Sequence, residues 1–198
     1  MGLIKIRYFC RLFRSGCDTR RGYLLYDASS FNYVPGLPIL TSKDLVNWEL
    51  KNYAIEKIDE PGYDLPQHAK GVWAPAIRYH EGYFYIYYGM PDEGIYMVRT
   101  KDALGTWEKP VLVLAGKGLI DSCPFWDEDG KAYIIHGYAK SRIGFKSHLG
   151  IFRCHGMEQR RRGRTISSTV DLRHSRRLRD QRYISETDII TFLLRQAV

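Results

Sequence analysis

A short pattern that occurs twice constrains this chain more than any other feature. Thr41-Ser42-Lys43-Asp44-Leu45-Val46-Asn47-Trp48-Glu49 returns as Arg99-Thr100-Lys101-Asp102-Ala103-Leu104-Gly105-Thr106-Trp107-Glu108, with Lys43 and Lys101 58 positions apart. An aromatic strand precedes each copy, at residues 23–26 and 83–88, and a third such strand at 132–136 has no copy after it. A long-period repeat of several strands is the mark of a solenoid or propeller, because one repeat cannot bury its own apolar face. The spacing is somewhat longer than the roughly 40–50 residues of common propeller blades. The pattern therefore reads as two to three blades of a propeller whose other blades are missing.

The charge distribution sets the repeat region apart from both ends. The formal net charge of +8 would suggest a nucleic-acid or membrane partner. Mapping the charge removes that suggestion. Residues 1–22 hold six Lys/Arg and one acid, and residues 153–198 hold eleven Arg, no Lys and five acids. Residues 23–152 hold 13 Lys/Arg against 16 acids, a net −3. The Arg160-Arg161-Arg162-Gly163-Arg164 run reads as a solvated charge run rather than a nucleic-acid arm. Residues 153–180 lack apolar periodicity at 2 or 3.6 and read as loop or disorder.

Cys10, Cys17, Cys123 and Cys154 fit neither a paired zinc-ligand spacing nor a dense disulfide framework. Only Cys123 lies well inside the repeat region, where a buried free thiol is expected. No metal or cofactor is expected. No run of 18 apolar residues occurs, so no transmembrane helix is expected. Lys5, Arg7 and Arg11 interrupt the apolar flavour of residues 1–13, which lack the uninterrupted core of a signal peptide. As written, the chain reads as cytoplasmic.

Residues 23–152 alternate short strands with turns. Strands are expected at 23–27, 39–42, 72–79, 83–89, 95–100, 111–114, 120–126 and 131–138. Loops are expected at 28–38, punctuated by Pro35, Gly36 and Pro38, and at 59–71. His80-Glu81-Gly82 and Asp127-Glu128-Asp129-Gly130 close two hairpins. The class is all-β, built of antiparallel meanders.

Three stretches in this region carry a resemblance. The first runs from Ser29-Ser30-Phe31-Asn32-Tyr33-Val34-Pro35-Gly36-Leu37-Pro38 through Ser42-Lys43-Asp44 to Trp48-Glu49. The second is Gly71-Val72-Trp73-Ala74-Pro75-Ala76-Ile77-Arg78-Tyr79. The third is Gly118-Leu119-Ile120-Asp121-Ser122-Cys123-Pro124-Phe125-Trp126-Asp127-Glu128-Asp129-Gly130. In order and at this spacing they resemble the first three blades of glycoside hydrolase family 43. The resemblance covers residues 23–152. It implies a five-bladed β-propeller acting with inversion on xylose- or arabinose-containing oligosaccharides or polysaccharides. It implies no membrane or nucleic-acid partner and leaves the oligomeric state open.

An inverting glycosidase needs a carboxylate base for the water and a carboxylic acid for the leaving oxygen, roughly 6.5–9.5 Å apart. A third carboxylate can raise the acid's pKa by like-charge repulsion. By resemblance, Asp121 is that modulator, with Ser122 where Pro is common in the family. Trp73 and Phe31 match positions that shape the sugar subsite. For Phe31, plain core packing stays an open alternative, and His136 reads as a core or rim histidine.

The family's base lies in Asp-Pro-Asp before the first aromatic strand and its acid in Glu-Gly-Pro of a later blade. Neither motif occurs: the only acid before Tyr23 is Asp18, and neither Glu158 nor Glu186 is followed by Gly-Pro. The genetic code suggests why. Residues 11–21, back-translated with permitted codons and read from the second base, can give DYSDPDVIRV. Residues 175–181 read from each third base can give PTIEGP, and residues 181–198 can give KVYKRNGYYYIFAPAGG. Both ends, 1–22 and 153–198, read as translated out of frame. Such ends are expected to pack poorly, since their residues were not selected to bury a face. Two functions compete: a family 43 glycosidase, or a catalytically inactive relic that at most binds sugar.

Overall fold

The computed structural model describes residues 17–18, 23–126, 132–144, 152–157 and 169–170. The expected turn at 127–130 and the packing of the two ends fall outside these residues. The described elements are β1 (Cys17–Asp18), β2 (Tyr23–Asp27), β3 (Gly36–Ser42), β4 (Glu49–Ile55), β5 (Trp73–His80), β6 (Tyr83–Met90), β7 (Gly94–Thr100) and β8 (Val111–Ala115). They continue with β9 (Leu119–Trp126), β10 (Ala132–Tyr138), the short helix α1 (Lys140–Ile143), β11 (Phe152–Met157) and β12 (Thr169–Val170).

They form three four-stranded antiparallel meanders, β1-β2-β3-β4, β5-β6-β7-β8 and β9-β10-β11-β12. The fold is all-β, three blades of the propeller that the repeat predicts and that the family resemblance expects to be five-bladed. One boundary differs from expectation. The loop predicted over 28–38 ends early, because Gly36 already pairs with Ile55. A Cβ on Gly36 would lie 2.8 Å from Ser30 Oγ and 2.9 Å from Ile55 Cδ1, so only glycine lets the strand start there.

Side-chain alternation shows how the blades stack. Successive strand residues point to opposite faces. In β6, Phe84, Ile86, Tyr88 and Met90 pack with Leu25, Leu37, Ile39 and Val72 on the side of the first blade. Tyr87, between them, packs with Ile95, Leu119 and Ile134 on the side of the third. β7 repeats the division, with Tyr96 and Val98 on one side and Ile95 on the other. The middle blade thus buries both faces, and its strands read as near-continuous apolar runs. Burying each such side chain contributes about 1.5–3 kcal/mol.

The repeated pattern builds the same turn twice. In the first copy, Ser42 Oγ accepts from the N–H groups of Asp44 (3.2 Å) and Leu45 (2.9 Å), and Asp44 accepts from those of Val46 (2.9 Å) and Asn47 (2.7 Å). These donors hold the Asp44 carboxyl well below the usual carboxylate range, the Asn47 backbone contributing most. In the second copy, Thr100 Oγ1 accepts from Asp102 N–H (3.1 Å), and Asp102 accepts from Leu104 N–H (3.2 Å). Each indole then donates back to its turn, Trp48 to Leu45 O (3.1 Å) and Trp107 to Ala103 O (3.2 Å). Trp48 and Trp107 therefore hold equivalent places on neighbouring blades.

Their surroundings differ. Ala103 and Trp107 are buried, whereas Leu45 and Val46 are 52% and 79% exposed. The first blade covers the second copy: Asn52 on β4 donates from Nδ2 to Gly105 O (2.7 Å) and Ala103 O (3.3 Å). We expect Asn52→Ala to lower stability by about 1–2 kcal/mol, since it leaves a half-buried carbonyl unpartnered. Urea unfolding checks this, and an unchanged midpoint would remove the clasp.

Candidate functional site

The long loop 56–72 returns the chain to the first blade at one point. Phe31 and Val72 form an isolated antiparallel bridge, with N–H to O distances of 3.0 and 2.9 Å. Gly71 makes the approach possible: its φ is +85°, and a Cβ there would meet Phe31 O at 2.1 Å. The backbone at Ala74 is fixed to the same blade through Ser29 Oγ, which accepts its N–H at 2.8 Å. The bridge sets Trp73 against Phe31, ring centres 6.1 Å apart and planes at 71°, an edge-to-face pair. Phe31 is 43% exposed, so it lines a surface rather than filling the core. Trp73 is half-buried, and its Nε1 has no hydrogen-bond partner among the described residues.

Asp121 lies near the start of β9. The strands β5 and β9 run side by side in matched directions. His80, the last residue of β5, stacks on Trp126, the last residue of β9, with ring centres 4.3 Å apart. Arg78 donates to Cys123 Sγ at 3.0 Å. At the other end Trp73 pairs with Gly89, and a Cβ on Gly89 would lie 2.8 Å from Leu119 O. Trp73 and Asp121 therefore occupy the same end of the blades. Asp121 has φ +55°, an uncommon backbone for a residue other than glycine. Loss of water around its carboxyl raises the pKa above the ordinary value, although the residue still reaches the surface and solvent limits the effect.

Residues that the sequence reading passed over complete this end. Arg142 on α1 lies with its guanidinium 5.8 Å from the Trp73 ring centre. It donates from Nε to Asp92 Oδ1 (3.2 Å) and from Nη2 to Ala69 O (2.5 Å). Tyr63 donates to Glu93 Oε1 (3.1 Å) and accepts from Gly71 N–H (3.1 Å); Tyr96 donates to Glu60. Burial raises the Glu93 carboxyl, with a smaller contribution from Asp92. Nothing local marks these residues, because, Gly71 apart, their partners are tens of positions away.

Two expectations resolve differently. Cys123 is a free thiol but half-buried, not buried, because it faces the Arg78 guanidinium across the blade junction. His136 is fully buried beside Tyr138, a core histidine. Asp27, which the sequence reading did not single out, is 4% exposed. Burial pushes its carboxyl up to about 7, with Arg78 opposing the rise. Among the described residues no group of three His, Cys, Asp or Glu side chains is placed to hold a metal ion. No helix among them is long and apolar enough to cross a membrane.

Three four-stranded antiparallel blades, with an aromatic pair and a carboxylate at the same end, define a partial β-propeller. Residues 15–171 match the family model described as glycosyl hydrolases family 43, and the chain belongs to that family. It is 43% identical over 116 residues to a putative beta-xylosidase of Xylanibacter ruminicola, covering 58% of this chain and 22% of that one. It is 38% identical over 113 residues to the non-reducing end alpha-L-arabinofuranosidase BoGH43B of Bacteroides ovatus, covering 54% and 21%. The chain thus spans about a fifth of the length of these relatives. Among solved structures it resembles the Bacteroides ovatus xyloglucan PUL GH43B, with TM-score 0.56 and 29% identity over 75% of this chain and 27% of that one. A GH43_12 protein retrieved from a capybara gut metagenome gives TM-score 0.55 and 28% identity over 74% and 29%.

Proposed function

We propose that this chain carries the sugar-gripping part of a family 43 site for a terminal xylose or arabinose unit, and that it binds without hydrolysing. Trp73 and Phe31 offer their rings to the apolar C–H face of the sugar. Asp121 is the carboxylate whose charge would raise the pKa of an acid, were the acid present. The observation that carries the reading is the pairing of the exposed Phe31 with the half-buried Trp73 at the same end of the blades as Asp121. Relatives named as xylosidases and arabinofuranosidases support the pentose class. The absence of both Asp-Pro-Asp and Glu-Gly-Pro from the sequence supports the reading of a chain that does not hydrolyse. Out-of-frame translation of residues 1–22 and 153–198 accounts for both losses. The competing reading, an active glycosidase, is decided by turnover of aryl pentosides.

Binding is tested by titrating the chain with xylobiose and with arabinobiose, following tryptophan fluorescence. Trp73→Ala is expected to weaken affinity roughly two- to tenfold, the range of one lost aromatic contact. Equal affinity of wild type and variant would remove Trp73 from the site.

A further inference from the structure

We propose that Arg142 is a positioning residue that sets the angle of the Trp73 indole, and through it the grip on the sugar. The inference rests on the reading of Trp73 as a sugar platform. Three observations converge on this one guanidinium. It lies over the indole at 5.8 Å, within the range of a cation–aromatic contact. It pairs with Asp92, in the turn between β6 and β7, with side chains only 17% and 22% exposed. It also holds the carbonyl of Ala69, two residues before the glycine that swings the chain onto Phe31.

The arrangement ties together parts that no local force would align. Trp73 follows a long loop, and such a loop by itself leaves the start of β5 free to shift. Tyr63 and Glu60 anchor that loop to the second blade. Arg142 anchors it to the third. The helix that bears Arg142 is seated in turn on the start of β9, near Asp121: Ala139 N–H donates to Gly118 O at 2.7 Å, and a Cβ on Gly118 would lie 2.6 Å from Ile143 Cγ2. One side chain therefore fixes Trp73 relative to the strand that carries Asp121. A guanidinium suits the task because its planar donors reach two acceptors at once while its face lies on a ring. A lysine offers a point charge without that geometry.

The test uses the whole chain and four variants: Arg142→Ala, Arg142→Lys, Trp73→Ala and the double variant Arg142→Ala/Trp73→Ala. Xylobiose affinity by fluorescence titration is expected to fall roughly two- to tenfold in both Arg142 variants. In the Trp73→Ala background, Arg142→Ala should cost no further affinity, because both changes remove one device. Additive losses would overturn the proposal by showing that Arg142 does not act through Trp73. A second readout needs no sugar. The emission attributable to Trp73, taken as the difference from a Trp73→Phe variant, is expected to shift in Arg142→Ala and in Arg142→Lys. An unchanged Trp73 emission would overturn the proposal independently. If wild type fails to bind xylobiose while the emission still shifts, the sugar reading falls and the positioning of Trp73 by Arg142 stands.

Discussion

Aryl β-xylosides and aryl α-arabinofuranosides are expected to survive incubation with this chain. Hydrolysis with inversion needs a water stripped of its proton and a leaving oxygen supplied with one. General base and general acid each contribute about 10² to 10⁴-fold. A chain without either falls short of an intact site by on the order of 10⁴ to 10⁸-fold. Asp121 does not fill the gap. In the proposed reading it tunes an acid rather than serving as acid or base itself. The measurement is release of the aryl alcohol over hours at high protein concentration. Repairing the reading frame at both ends, together with the later blades, should restore turnover. Turnover by the unrepaired chain that disappears in Asp18→Ala would overturn the reading and make Asp18 the base.

Stability is expected to fall as pH rises from about 4 to about 7, and Asp27 is the cause. In the unfolded chain an aspartate gives up its proton near pH 3.9. In the fold Asp27 keeps its proton up to about 7, because burial disfavours the charge more than Arg78 favours it. Between those values the folded state holds a proton that the unfolded state has lost, so unfolding becomes easier with each step in pH. At about 1.4 kcal/mol per pKa unit the full loss is roughly 4 kcal/mol, complete near neutrality and constant above it. Asp27→Asn removes the ionisation, so the stability difference between the two proteins should change between about pH 4 and 7 and stay constant below and above that range. Urea unfolding at pH 4, 5.5, 7 and 8 measures it. A wild-type profile parallel to that of Asp27→Asn would show that Asp27 titrates normally.

Much of the architecture was legible because it depends on local rules. Aromatic alternation marked β2, β6 and β10, and the Ser/Thr-Lys-Asp turn with its Trp marked the third-to-fourth strand connection of two blades. The hydroxyl and carboxylate of that turn satisfy backbone donors within a few residues, so the pattern carries its own structure. Phe31, Trp73 and Asp121 could be named from motifs, and the fold puts Phe31 and Trp73 in contact.

The same residues show where local rules end. Trp48 and Trp107 are equal in sequence pattern, but only Trp107 is buried, because Asn52 and its strand arrive from 51 and 53 positions away. Arg142 meets Asp92 and Ala69 across 50 and 73 residues, and no spacing rule connects them. Asp27 reads as an ordinary strand-end acid until the fold buries it near Arg78, 51 positions away in the chain. The sequence by itself determined the strands, the turns, the family and the absence of the acid and base motifs, since each depends on residues close in the chain. Tertiary structure alone decided which repeated residue is buried, which carboxyl is sealed from water and which arginine lies over the Trp73 ring. Those properties arise from the low-dielectric contact between blades, and that contact exists only once distant strands have packed.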